Sequence, residues 1–232
     1  MRKGTSSKKE TATPPVTVKV KPPKFERAIF TIVGGGEDQV PLVQNRFSSR
    51  AIEAMKAKQV AGSTANKQRG TRDPKDFHAQ YLESLHVSTE GWYGLPAAAF
   101  RTALISVCRL VNFKMTFAKL SIFVAADGID RVDAMPLVRI TKGEPQYRED
   151  AVRNESGVAD IRPRAMFLPG WEAQVRIRWD GDQFTLDDVT NLLWRVGEQA
   201  GIGEGRPDSR ESCGLGWGLF TIKDIKSVKR AA

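Results

Sequence analysis

The chain has 232 residues, 41% apolar and 27% charged, with 36 Lys and Arg against 27 Asp and Glu for a net charge of +9. That composition supplies one substantial core and excludes a wholly disordered protein. No apolar run approaches the roughly 18 residues that a membrane span needs. The residues after Met1-Arg2-Lys3 are polar, unlike a signal peptide. Cys108 and Cys213 form no CxxC pair, and His78 and His86 are too few for an imidazole-based metal site. The expectation is a cytoplasmic protein (in the host cytoplasm if phage-encoded) with no cofactor, no metal and no membrane partner.

The positive charge is confined to two stretches. Residues 1–25 hold seven Lys and Arg against Glu10. Residues 54–75 hold Lys56, Lys58, Lys67, Arg69, Arg72 and Lys75 against Asp73. Clustered cations of this kind are the electrostatic footprint of nucleic-acid binding, although a solvated tail and loop would look similar.

In chain order, residues 1–25 are rich in Lys, Ser, Thr and Pro and are expected to be a disordered tail. Residues 26–33 predict a strand that ends at Gly34-Gly35-Gly36. Ser48 or Ser49 caps a helix to about residue 60, and residues 61–70 predict a basic loop. Pro74 opens a short helix to about Leu85. Residues 94–111 predict a helix whose apolar stripe is Phe100, Ala103, Leu104, Val107 and Val111. Residues 116–125 predict a strand, Asp127-Gly128 a turn, and 137–142 another strand. Residues 158–168 and 171–180 predict a hairpin about Leu168-Pro169-Gly170. In its second arm Val175, Ile177 and Trp179 face one side, and Arg176 and Arg178 the other. Thr185 caps a helix with the stripe Leu186, Val189, Leu193 and Val196. Residues 200–216 are glycine-rich, and 217–222 close as a strand.

Without insertions the order is strand, helix, strand, strand, helix, strand. The expected class is α+β: a ferredoxin-like, RRM-like βαββαβ core with an antiparallel sheet and both helices on one face. Residues 26–232 form a single domain, with insertions at about 45–90 and 125–165. The free sheet face is where such folds lay single-stranded nucleic acid.

Two stretches carry further chemistry. Trp92-Tyr93-Gly94-Leu95-Pro96-Ala97-Ala98-Ala99-Phe100-Arg101 places small residues at a helix start, where backbone N–H groups meet anions. Trp92 and Tyr93 are candidates for base stacking. Gly201-Ile202-Gly203-Glu204-Gly205-Arg206 follows a helix and precedes a strand, which is the reverse of a dinucleotide-binding turn. Such a loop lets backbone approach a ligand, with Arg206 and Arg210 in reach of phosphates; a plain connector and close Ala packing are the alternatives. The candidate nucleic-acid contacts are Arg46, Arg50, Lys56, Lys58, Lys67, Arg69, Arg72, Lys75, Trp92, Tyr93, Arg101, Gly203, Gly205, Arg206 and Arg210. No nucleophile–base pair is apparent, and the spacing of Asp127, Asp130 and Asp133 matches no calcium loop.

Residues 94–104 resemble the helix-start motif of the RAMP superfamily, and residues 201–218 resemble its C-terminal glycine-rich loop. The chain is most similar to the backbone subunits that coat guide RNA in CRISPR effector complexes. Ala97-Ala98-Ala99 departs from the Gly-Ser-Ser of that motif, and the loop is less basic than usual. The resemblance implies head-to-tail copies along RNA, other effector-complex subunits as partners, an antiviral role, and a thumb-like insertion within 125–165. By position Arg101, Arg206 and Arg210 match the motifs' basic residues. The expected function is non-enzymatic: binding of single-stranded RNA or DNA by a protein that oligomerises along it. The alternatives are a viral or plasmid single-stranded-DNA-binding or structural assembly protein, and a metal-dependent endoribonuclease using Asp73, Asp76 or the aspartates of 127–133.

Overall fold

The computed structural model describes residues 20–47, 49–61, 74–153, 159–209 and 215–227. The strands are β1 (Phe25–Gly34), β2 (Leu42–Val43), β3 (Gly94–Pro96), β4 (Ile122–Ala125), β5 (Gly128–Ile129), β6 (Pro136–Lys142), β7 (Pro145–Arg153), β8 (Ala159–Phe167), β9 (Glu172–Asp180) and β10 (Phe220–Ser227). The helices are α1 (Ser49–Ala61), α2 (Phe77–Ser84), α3 (Ala97–Val107), α4 (Met115–Ser121) and α5 (Leu186–Arg195). The molecule is mixed α and β, and its strand pairings are antiparallel.

The main sheet runs β10-β1-β9, and β4 and β6 then share the far edge of β9. β4 pairs with its C-terminal half (Ile122↔Trp179 to Ala125↔Arg176), and β6 with its start (Ile140↔Ala173). The chain between β4 and β6 leaves that edge and returns to it. Period-two alternation decides the faces. Ala28, Phe30 and Ile32 of β1 and Ala173, Val175, Ile177 and Trp179 of β9 are buried. They meet Phe100, Leu104 and Val107 of α3 and Val189, Leu193 and Val196 at α5, so both helices cover one face. Each of the larger apolar side chains among them contributes about 1.5–3 kcal/mol by leaving water. Thr185 and Asp188 form a reciprocal capping box that fixes the start of α5.

A second sheet, β2-β8-β7, stands beside the first. β7 and β8 pair from Pro145↔Phe167 to Arg153↔Ala159, and α2 packs on β8.

Several elements differ from their sequence expectation. β8 and β9 do not pair; Gly170, at φ +91°, turns the chain from one sheet into the other. The partners of β8 are instead β7, within the insertion expected at about 125–165, and β2. Residues 115–121 are helical, because Ala118, Ser121 and Ile122 then face the core, while Phe117 and Leu120 point outward. The helix expected over 94–111 is three pieces: β3, α3 and a 3₁₀ turn over Cys108–Val111, with Val111 exposed. α2 starts later than Pro74, where the Asp76 carboxylate accepts from Ala79 N. Most of the expected tail, residues 1–19, and most of the loop at 61–70 lie outside the described residues.

Candidate nucleic-acid interface

The sheet face opposite the helices is open. Its residues on β1 are Arg27, Ile29, Thr31 and Val33, none of them buried. On β9 they are Gln174, Arg176 and Arg178. The register places Arg178 between Arg27 on β1 and Phe123 on β4. The Arg178 guanidinium carbon lies 4.5 Å from the Phe25 ring centroid and 4.8 Å from that of Phe123. The two rings meet edge-on at 5.9 Å. Such cation–π contacts hold the guanidinium against aromatic surface beside the open face. A trough of about 520 Å³ runs over Arg27, Ile29, Phe123, Ala125, Arg176 and Arg178. Among the described residues neither Arg27 nor Arg178 pairs with a carboxylate. Arg176 pairs with Asp127. A second hollow, of about 320 Å³, shares Arg176 with the trough and adds Trp92 and Arg139. There Arg139 sits 5.8 Å from the Trp92 ring centroid, and Trp92 Nε1 donates to Glu90. Toward the other end Lys142 and Lys223 converge on Glu172 and are partly neutralised by it.

The two motif stretches meet elsewhere, in a cleft of about 960 Å³. The first turn of α3 forms one wall. Pro96 occupies its N-cap without a side-chain cap, and Ala98 is exposed, so backbone N–H groups open toward the cleft. Arg101 and Thr102 continue this wall, and Gly203, Arg206 and Arg46 stand on the others. Arg101 Nε donates to the Ile122 carbonyl at 3.1 Å, and its guanidinium lies 5.3 Å from the Phe123 centroid. It therefore touches both the cleft and the residue that borders the sheet trough.

Arg46 is tied inward. It donates to both oxygens of Asp130 at 3.1–3.2 Å, to Asp133 at 3.2 Å and to the Leu85 carbonyl at 3.2 Å. Asp130 is fully buried and also accepts from Val132 N, while His86 Nδ1 lies 3.2 Å away. Burial pushes the His86 imidazole below its usual value, against the opposing hydrogen bond to the Asp130 carboxylate. Burial tends to raise Asp130, but the Val132 N–H, Arg46 and His86 outweigh it and hold the carboxyl below its usual range. Asp130 and Asp133 are thus engaged in a structural network, and Asp127 accepts from Arg139 N at 2.8 Å besides pairing with Arg176. Among the described residues no three His, Cys, Asp or Glu side chains are grouped to hold a metal ion.

The remaining candidates are dispersed. Lys56 is exposed on α1; Arg50 and Lys58 belong to the same helix, but their side chains lie outside the described residues. Lys67, Arg69, Arg72 and Arg210 lie outside them altogether. Lys75 pairs with Asp160 on β8. Tyr93 packs against the core, edge-on to Phe167 at 6.2 Å. The loop glycines serve packing. Gly203, at φ +81°, lies where a Cβ would come within 2.4 Å of the Val43 carbonyl. Glu204 N donates to that carbonyl at 2.8 Å, and its carboxylate pairs with Arg162 and Arg164. Arg206 donates to the Gly203 carbonyl at 3.0 Å while lining the cleft.

The face residues Phe25, Arg27, Phe123, Arg139, Arg176 and Arg178 were absent from the sequence candidates. Alternation along β9 shows Arg176 and Arg178 opposite the core. The contact of Arg178 with Phe25 and Phe123 depends on strand register, which one sequence does not encode locally.

No known family model and no curated protein matches the sequence. Among solved structures, a chain of the cryo-EM structure of the Type III-B Cmr-beta bound to cognate target RNA resembles this one at TM-score 0.48 and 9% identity. The likeness covers 89% of this chain and 61% of that one, so the chain spans less than two thirds of its neighbour's length. No helix of the described residues is long and apolar enough to cross a membrane.

Proposed function

We propose that the protein binds single-stranded nucleic acid along the open face of its antiparallel sheet and assembles in copies along that strand, without cleaving it. The order β10-β1-β9-β4, with α3 and α5 on one face, supports reading the core as a split βαβ, ferredoxin-like arrangement. Residues 94–104 and 201–218 add their resemblance to the RAMP superfamily, in which backbone subunits coat guide RNA alongside other effector subunits. The observation that carries the proposal is Arg178 flanked by Phe25 and Phe123, with Arg27 and Arg176 beside it on a solvent-facing sheet. Aromatic and guanidinium planes accept unpaired bases, which a duplex keeps stacked internally. Arg27 faces Arg178 from the neighbouring strand and supplies charge for phosphates, while Arg176, two residues along β9, is held by Asp127. Arg101 and the open first turn of α3 extend the positive path to the cleft.

Filter binding across a salt series tests this, using RNA, single-stranded DNA and duplex of about 30 nucleotides. Single strands bind more tightly than duplex, and log K falls with log salt by about 0.7 per neutralised phosphate. The preferred sugar separates an RNA-coating protein from a single-stranded-DNA-binding one. Equal binding of duplex, or binding indifferent to salt, overturns the proposal, as does cleavage of the RNA when magnesium is added.

A further inference from the structure

The far edge of β9 forks. β4 leaves it at Ala125, opposite Arg176, and β6 meets it at Ile140, opposite Ala173. Between those two pairs Gln174 and Val175 have no strand partner on that side. Val175 is buried in the core, so Gln174 is left on the open face. The hollow of about 320 Å³ lies at this fork. β9 supplies Gln174 and Arg176 to it, β6 supplies Arg139, and the turn before β3 supplies Glu90 and Trp92.

That turn is held from beneath. Ser88 is buried, and its hydroxyl accepts from both Glu90 N and Trp92 N at 3.2 Å. The Trp92 ring lies against Gly94 and Gly128, where an added Cβ would come within 3.0 and 2.8 Å of it. Its Nε1 donates to one oxygen of Glu90 at 3.1 Å. The aromatic surface and the carboxylate are thus fixed to each other before any ligand arrives. The two neighbouring charges are already used. Asp127 accepts from Arg139 N with one oxygen and pairs with Arg176 through the other. Glu90 and Arg139 are both exposed, and among the described residues neither side chain has an ion-pair partner. The hollow therefore offers one available carboxylate, one available guanidinium and one indole.

The edges of unpaired bases differ in what they present to such a set. Guanine has two adjacent donors, N1–H and N2–H, which suit a carboxylate, and two adjacent acceptors, O6 and N7, which suit a guanidinium. Adenine places the lone pair of N1 where a carboxylate meets N1–H of guanine, and is repelled. Cytosine and uracil have no pair of adjacent donors.

We infer that the hollow at the sheet fork is a guanine-reading subsite, in which Trp92 stacks on the base, Glu90 accepts from N1–H and N2–H, and Arg139 donates to O6 and N7. This deepens the proposed function by naming the base that the face selects, and it rests on that reading for the strand that carries the base. Arg176 borders both the hollow and the trough, and Arg178 lies two residues, about 7 Å, further along β9. The hollow and the rings of Phe25 and Phe123 accordingly take different nucleotides of one strand.

Fluorescence anisotropy with the full chain tests it. The probes are labelled 30-mers of uridine, and of deoxythymidine, that carry three spaced guanines, adenines or cytosines. The guanine probe binds about tenfold more tightly than the adenine probe, as one bidentate base contact provides. Inosine in place of guanine, which removes only the N2 amine, loses most of that preference. Glu90→Gln and Arg139→Gln each bring the guanine-to-adenine ratio close to one, with thermal melting as the control for folding. A carboxamide at 90 accepts from one of the two N–H groups and opposes the other. A wild type that binds all the probes alike, or that favours another base, overturns the inference and leaves strand binding standing. So do variants that lower affinity for every probe by the same factor. Failure of the wild type to bind any of these single strands overturns the inference and the proposed function together.

Discussion

Arg178 and His86 illustrate two uses of a polar side chain. Arg178 lies half-exposed between two rings, and its charge is available. Replacing Arg178 by Ala weakens single-strand binding about tenfold, within the roughly 1–3 kcal/mol of one stacked base. Thermal stability hardly moves. Arg178→Lys does not restore affinity, because an ammonium has no plane to stack; fluorescence anisotropy with a labelled oligonucleotide checks both. His86 is buried and stays neutral in the fold, with its pKa below 6.5. The unfolded chain takes up a proton as pH falls through that value, and the folded chain resists, so stability is lost on acidification. Asp130, held below its ordinary 3.8, adds a further loss in stronger acid. The melting temperature should therefore fall between neutrality and about pH 5, and His86→Asn should flatten that fall. A wild-type profile flat over this range would contradict the assignment.

Individual elements differ in how far their own residues determine them. α5 was legible because its capping box, acidic first turn and apolar stripe agree. β1 and β9 were legible through strict alternation. Residues 115–121 misled because Phe117, Leu120 and Ile122 satisfy a strand pattern as well as a helix. The choice falls to Ala118 and Ser121, small residues that let α4 sit against the core. The expected hairpin at 168–170 had a genuine turn signal in Gly170, but a turn fixes a change of direction and not the partner of the strands that flank it. The same limit applies to the candidate site. The two motif stretches were visible in sequence and do meet in one cleft. Arg46 is a candidate nucleic-acid contact in the sequence, and only the fold reveals that Asp130 and Asp133 occupy it. Phe25 and Phe123 are nearly a hundred residues apart, and register alone unites them with Arg178.

At the scale of the whole molecule, charge and architecture divide the surface. Arg27, Arg176 and Arg178 give the open sheet face its positive character, and acidic groups collect at the α5 end. The proposed strand path therefore lies away from the acidic α5 end. The interrupted edge of the sheet sets a further condition. The chain leaves β9 after β4 and returns as β6, and Asp130, midway, grips Arg46, His86 and the turn at Val132. One carboxylate thereby fastens three segments that are remote in sequence. Asp130→Ala leaves the largely buried Arg46 guanidinium with only the more exposed Asp133 as counter-charge, at a cost of about 3 kcal/mol. In hydrogen–deuterium exchange, the amides of 44–46, 86–88 and 130–135 then lose protection as one unit, ahead of β1 and β9. Exchange of those three segments at unrelated rates would show that the detour is held by something other than Asp130.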